Sequence, residues 1–348
     1  MLNIYIYKKI EGLMHIPLLD HYFGSSSFGK NRAGDSALKL FNKQFFNLVE
    51  TPEASDYFLI PHNFFYIKDK KYLKDFVSLS EKHNKKILVF CYGDSDADIN
   101  IPNSIIFRTS QYKYKKKSNE IIMPAIADDL LEGRELTFRE KIDKPVVGFC
   151  GWADYSSFYR RMVENVKKSV IHIKSILLST NYFFHTRGLV LRIKALGILK
   201  KSSLVSTNFI IRNSFSGNEK TRRISMETAR VEYVNNIVNS DFSLAIKGDG
   251  NFSIRFYEIL SLGKIPVLLD TDCALPLENI IDYSRFLLKI NVSSMKNIDQ
   301  IISEYYNSLT AADFVEKQKT SRAMFETYLR SDRYFNYVLS KDFIKAYE

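Results

Sequence analysis

The thirty residues from Ser240 to Leu269, SDFSLAIKGDGNFSIRFYEILSLGKIPVLL, constrain the fold more than any other part of the chain. Phe242 to Ile246 is short and apolar enough for a buried strand. Lys247-Gly248-Asp249-Gly250-Asn251 follows, and its two glycines allow a tight turn and a close approach of the main chain to a ligand. Asn251 or Ser253 can cap a helix that begins there. Ile254, Tyr257, Ile259, Leu260 and Leu262 give that helix its apolar surface, while Arg255 and Glu258, three apart, share a face. Gly263 stops the helix, and Ile265 to Leu269 is a second buried strand. A strand, a glycine loop, a helix and a strand make the repeating unit of a parallel α/β sheet.

Such a loop is suited to anions, because the first amides of the helix and its dipole point toward it. Lys247 and Arg255 add full positive charge. The pattern fits a nucleoside diphosphate, with its phosphates on Lys247, Arg255 and the amides of Gly248, Asp249, Gly250 and Asn251. A ribose or sugar hydroxyl would then fall to Glu258. The same residues also fit an ordinary turn in which Arg255 and Glu258 bond to each other, and a short Gly-x-Gly does not decide between the two.

At 348 residues and 45% hydrophobic composition, the chain is long enough for two cores. Strands are predicted at Leu2–Tyr7, Asp56–Pro61, Lys86–Cys91, Ile105–Arg108 and Ile121–Pro124. Helices are predicted at Ser36–Val49, whose Leu38, Phe41, Phe45, Phe46 and Val49 repeat at helical spacing, and at Tyr72–Asn84. A charged stretch before Pro145 marks a boundary. Beyond it lie predicted strands at Pro145–Cys150, ending on Gly151, and at Phe209–Arg212. Further helices are predicted at Phe158–Ser169, Arg222–Val238, Ile298–Leu309 and Thr310–Phe343, with a late strand at Phe286–Ile290. The segment Ile171–Ser203 is Lys-rich and apolar, helical in parts, and has no clear order. The expected domains are 1–143, 144–310 and a set of C-terminal helices, 311–348, crossing back to the first domain. Alternating strands and helices predict doubly wound parallel sheets.

The opening stretch, continued through Asp270-Thr-Asp-Cys-Ala-Leu-Pro to Asp282-Tyr283, resembles the C-terminal signature of the exostosin-type glycosyltransferases, family 47. The resemblance is carried by Ser240, Gly248, Asp249, Gly250, Arg255, Glu258, Gly263, Ile265, Pro266, Val267, Pro276 and Asp282-Tyr283. It covers the latter half of the second domain and is fainter elsewhere. The family enters the loop through a Pro-Arg-Gly-like run, where this chain has Ile246-Lys247-Gly248, which leaves the role of Lys247 open. The resemblance implies a GT-B-like enzyme, two Rossmann-like domains with parallel sheets facing a central cleft. The donor would bind the second domain, with the Gly151 turn facing it, and the acceptor the first. It also implies inverting, metal-independent transfer from a UDP- or GDP-linked sugar to a glycan or lipid-linked acceptor, in surface polysaccharide biosynthesis. A fucosyltransferase-like GDP-sugar enzyme shares a similar strand, polar loop and basic-x-x-Glu helix.

Sugar transfer needs a stabilised leaving diphosphate and a base for the acceptor hydroxyl. Arg255 and Lys247 are the chosen cations for the leaving group, with Arg212 and Arg222 from the neighbouring loop as weaker candidates. Asp94, after a strand and Gly93, is the favoured base; His21 is next, and Asp20, Asp35 and His62 are also candidates. Asp94-Ser-Asp96 and Asp270-Thr-Asp272 match a metal-binding Asp-x-Asp by letter only, and no metal or cofactor is expected. No His-x-x-x-His suggests a zinc hydrolase. Cys91, Cys150 and Cys273 are far apart and lie in or beside apolar segments, as reduced buried thiols do. The formal net charge of +11 favours anionic partners: a nucleotide sugar, an anionic membrane surface touched peripherally, or nucleic acid through Lys113–Lys117 and Lys194–Lys201. Nucleic acid is not the expected partner. With neither a signal peptide nor a membrane-spanning run in the sequence, a cytoplasmic enzyme is expected.

Overall fold

The computed structural model describes residues 1–25, 35–155, 162, 182–214 and 224–347. They group into two compact units. The first comprises Met1–Asp128, Ala274–Glu278 and Glu326–Glu348; the second comprises Asp129–Cys273 and Asn279–Phe325. Each is an α/β domain on one parallel sheet.

The first unit has six strands: β1 (Asn3–Tyr5), β2 (Asn47–Val49), β3 (Tyr57–Leu59), β4 (Ile87–Cys91), β5 (Ser104–Arg108) and β6 (Glu120–Ile122). Their order is β2-β1-β3-β4-β5-β6, with every pairing parallel. In β3, β4, β5 and β6 every residue is buried, as a sheet covered on both faces requires. Helix α1 (Lys70–His83) starts at Asp69, whose carboxylate accepts from the amides of Lys71 and Tyr72, and ends at Asn84 in the left-handed conformation, φ 50°. Its Tyr72, Phe76 and Ser80, four apart, turn inward. The last residues of the chain complete this core: Tyr334 donates to the Ile122 carbonyl at 2.7 Å, and Phe335 packs on Phe41, Phe45 and Phe90.

One expected helix is corrected. Instead of running from Ser36 to Val49, the chain makes a helical turn at Asp35–Leu38 and a 3-10 turn at Lys39–Phe41, and then strand β2. Phe41, Phe45 and Phe46 are buried as the spacing demands, but in a cluster formed with Phe335 and Tyr22. Asn47 leaves the pattern to pair with β1: its amide donates to the Leu2 carbonyl and its side chain to that of Asn3. The predicted helix at Phe158–Ser169 lies outside the described residues, apart from Met162.

The second unit has five strands: β7 (Val146–Trp152), β8 (Ser206–Arg212), β9 (Phe242–Ala245), β10 (Ile265–Asp270) and β11 (Leu288–Asn291). Their order is β8-β7-β9-β10-β11, again all parallel. Helices α2 (Gly188–Lys201), α3 (Met226–Val238), α4 (Ile254–Ser261), α5 (Ile298–Ser308) and α6 (Ala311–Met324) accompany it. Val147, Phe149, Leu244, Ile246, Val267 and Leu269 form the centre of the core with Leu191, Ala195 and Ile302. Phe242 meets Tyr306 edge-on, with ring centroids 5.8 Å apart. A side chain at Gly148 would collide with Ser240, so β7 can pass there only as glycine. At the end of α4 the Gly263 amide bonds Leu260 and the Lys264 amide bonds Ile259, with Gly263 at φ +60°; this paired cap is the stop anticipated for that glycine.

Numbered within each unit, the strands lie in the order 2-1-3-4-5-6 in the first and 2-1-3-4-5 in the second. In sheets of this type chain direction reverses its march between strands 1 and 3, and ligands bind beyond the carboxyl ends there. In the second unit that place lies between β7 and β9. Among the described residues no helix is long and apolar enough to cross a membrane.

Candidate functional site

Charged side chains meet at the carboxyl ends of β7 and β9. Arg255, half-buried in the first turn of α4, donates through Nη2 to the Cys150 carbonyl at 2.6 Å and through Nε to the Tyr233 hydroxyl at 3.3 Å. Its guanidinium lies 4.2 Å from the centre of the Phe149 ring, within cation–π reach. Gly151, at φ +148°, is what allows this approach: a Cβ there would stand 2.7 Å from Nη2. Tyr233 on α3 donates in turn to Oε2 of Glu258 at 2.6 Å. Arg255 and Glu258 are thus linked through one phenol. Burial, and then the charge of Glu258, raise the Tyr233 hydroxyl well above its ordinary pKa, so it stays a neutral donor. Glu258 is 8% exposed.

The loop after β9 is engaged mostly inward. The Lys247 side chain is buried and its ammonium donates to the Phe184 carbonyl. The Gly248 amide donates to the Phe252 carbonyl at 3.4 Å. Asp249 is exposed and pairs with Arg187 at 3.1 Å. Gly250 is buried. Asn251 is buried too: its amide group donates to the Thr271 and Asp272 carbonyls, its side-chain oxygen accepts from the Thr271 hydroxyl at 2.6 Å, and its carbonyl accepts from the Cys273 thiol. Asn251 therefore ties the loop to the turn after β10. The expectation of a side-chain cap is corrected: Ser253 holds the N-cap position of α4, but without a side-chain hydrogen bond, and Asn251 is committed elsewhere.

Arg192, on α2, escaped the sequence reading. Its Nη2 donates to the carbonyls of Ile246 (3.1 Å) and Lys247 (2.9 Å), its Nη1 to that of Trp152 (3.4 Å), and its Nε is buried with no partner among the described residues. Burial first, and then the nearby charge of Arg255, lower its pKa to about 10. Arg212, at the end of β8, pairs with Glu232 at 2.6 Å. Five cations (Arg187, Arg192, Arg212, Lys247 and Arg255) thus gather where β7, β8 and β9 end. Tyr233 and Arg192 left little trace in the sequence because each lies far along the chain from its partners.

In the first unit, Asp94 is exposed on the loop after β4. That loop is anchored from below by Arg108, which is wholly buried and donates to the carbonyls of Ser95 and Ala97, to that of Ser110, and to Glu120 at 2.7 Å. His21 is exposed on the one-turn helix Asp20–Phe23, its ring against Tyr22. Asp20 is buried and meets His15 Nε2 at 3.1 Å. His62 is corrected as a base candidate. It is buried, with Nε2 accepting from the Ile10 amide and Nδ1 donating to the Met14 carbonyl, and burial lowers its pKa. The Asp35 side chain and Arg222 lie outside the described residues. Asp270 pairs with Lys289 at 2.9 Å and accepts from the Cys273 amide. Among the described residues no three His, Cys, Asp or Glu are grouped to hold a metal ion. All three cysteines are buried thiols. In the run Lys113–Lys117, Lys113 pairs with Glu278, Lys115 with Asp96, and Lys117 donates to Asn100.

Residues 202–305 match the Exostosin GT47 domain, a glycosyltransferase domain. The matched stretch includes Arg212, Glu232, Tyr233, the loop after β9, Arg255 and Glu258, and stops short of Gly188 and Arg192. Among solved structures, the HepE protein of Anabaena in complex with UDP aligns with 10% identity over 99% of this chain and 100% of its own, at a TM-score of 0.40. An alpha-glucosyltransferase in complex with UDP-glucose and DNA containing an abasic site aligns with 11% identity over 99% of each chain, at 0.38. TarM aligns with 9% identity over 79% of this chain, at 0.33, and the chain spans only 58% of TarM's length. No curated protein matches the chain.

Proposed function

We propose that this chain, a glycosyltransferase by its exostosin domain, moves a sugar from a nucleoside-diphosphate donor held at the carboxyl ends of β7 and β9. The observation that carries this reading is Arg255: a half-buried guanidinium fixed by Cys150, Phe149 and Tyr233 at the switch point of the sheet, one turn before a nearly buried carboxylate.

The chemistry follows from charge. As the bond between the anomeric carbon and the diphosphate oxygen breaks, negative charge builds on the leaving group. A fixed cation in a partly desolvated place stabilises that charge at little reorganisation cost. We assign that role to Arg255, with the loop amides after β9 as further donors. Glu258 accepts hydrogen bonds from ribose or sugar hydroxyls, oriented by the Tyr233 hydroxyl. The acceptor's hydroxyl oxygen attacks the anomeric carbon and gives up its proton. Asp94 is the base we propose, exposed on a loop that Arg108 holds still; His21 is the second candidate. Inversion, independence of metal, and a glycan or lipid-linked acceptor in surface polysaccharide synthesis belong to the same proposal.

Thermal-shift titrations with UDP, GDP and their sugar conjugates test the donor assignment. One nucleotide class should raise the melting temperature of the wild type, and Arg255→Ala should lose most of that rise. Equal stabilisation of both proteins would remove Arg255 from the donor site.

A further inference from the structure

We propose that Arg192 is a positioning residue of the donor site, setting the course of the Ile246–Gly250 loop and so the direction in which its amides point. This inference rests on the donor assignment above. Arg192 joins the two strands that flank the switch point, because it holds the Trp152 carbonyl at the end of β7 and the Ile246 and Lys247 carbonyls just past β9. In a trans peptide the N–H points opposite to the C=O. Turning the carbonyls of Ile246 and Lys247 onto Arg192 therefore turns the amides of Lys247 and Gly248 away from α2, the Gly248 amide toward the Phe252 carbonyl within the loop.

Gly188, one helical turn before Arg192, supports the same arrangement by shape. A Cβ at Gly188 would collide with the carbonyl oxygens of Lys247 and Gly248. The first turn of α2 is thus a surface on which the loop is laid, with glycine giving the space and arginine the hydrogen bonds.

The charge of Arg192 has a consequence of its own. Among the described residues its hydrogen bonds are to neutral carbonyls and its Nε has no partner, and the Arg255 charge nearby opposes it while Asp249 offsets part of that. A diphosphate at the strand ends offsets the mutual repulsion of these two guanidiniums. Donor binding is thereby coupled to a residue beneath the site as well as to Arg255.

The test uses the full chain, with UDP and GDP as probes, and isothermal titration of wild type, Arg192→Met, Arg192→Lys, Gly188→Ala and Arg255→Ala. For the nucleotide that wild type binds, Arg192→Met should weaken binding roughly 10–100-fold, the fold-change that matches leaving buried polar groups unsatisfied. Arg192→Lys should recover only part, since a single ammonium cannot span carbonyls on two strands as a guanidinium does. Gly188→Ala keeps the charge but displaces the loop, and should also weaken binding. It and Arg192→Lys carry the test if Arg192→Met does not fold. The inference is overturned if these variants lower only the melting temperature of the ligand-free protein while the dissociation constant stays at the wild-type value. If Arg255→Ala alone loses binding, the donor assignment stands and the role of Arg192 falls. If wild type binds neither nucleotide, both fall.

Discussion

At the scale of single residues, the site depends on hydrogen bonds that no short motif contains. Tyr233 is the clearest case, since its hydroxyl gives to Glu258 and receives from Arg255. Tyr233→Phe leaves the packing and removes both contacts. We expect a lower urea-unfolding midpoint equivalent to roughly 1–3 kcal/mol, the cost of leaving a buried polar partner unsatisfied. Nucleotide affinity should fall too, though less than in Arg255→Ala, because the Arg255 charge remains on Cys150. Calorimetric titration of the two variants side by side checks the order. Lys247 and Asn251 teach the converse. Their letters suit a phosphate loop, yet Lys247 reaches Phe184 and Asn251 reaches Thr271. Residue type shows what a side chain is able to hold; the partner it finds depends on which distant strands the fold brings near.

At the scale of elements, much was legible. Strands β4, β5, β7, β9 and β10 are continuous apolar runs bounded by charge, glycine or proline, and α1, α4 and α5 begin and end within a few residues of where spacing and caps put them. The Ser36–Val49 helix was misread because phenylalanines at 41 and 45 have helical spacing whether they line a helix or fold into an aromatic cluster; what separates the two is Phe335, nearly three hundred residues away. The segment holding Arg192 gave no periodic signal at all, because α2 is apolar on most of its surface. A prediction belongs to the β4–β5 layer. Arg108 and Glu120 form a wholly buried pair that also fixes Ser95 and Ala97. Arg108→Met leaves the buried Glu120 charge without its cation, held only by Gln111 and the Lys117 amide, and should destabilise the protein by about 3–5 kcal/mol, whereas adding Glu120→Leu should restore part of that. Denaturation of the single and double variants measures it. If Asp94 is the base, the double variant should stay folded and still lose turnover, because its loop is no longer held.

For the molecule as a whole, one buried lysine makes stability depend on pH. Lys264 is 1% exposed and donates to the Thr137 carbonyl, and burial lowers its pKa from 10.5 to about 8. Above about pH 8 the folded protein has released this proton while the unfolded chain, titrating near 10.5, still holds it. Where the unfolded state binds more protons, stability rises with pH. The penalty of burying the charge is thus present below pH 8 and disappears as pH climbs toward 10.5. The difference in melting temperature between wild type and Lys264→Met should change across that window and stay flat below it. A difference that does not move with pH would show that the ammonium titrates as it does in water.

The polypeptide changes allegiance four times, after Asp128, Cys273, Glu278 and Phe325. Neither half is a continuous piece of chain, so no single cut releases one of them intact. Anyone wishing to graft a new first unit onto this second unit must transplant three separate segments together, the final twenty-three residues among them. A fusion spliced at one junction would inherit a first sheet without Tyr334 over Ile122 and without Phe335 in its core.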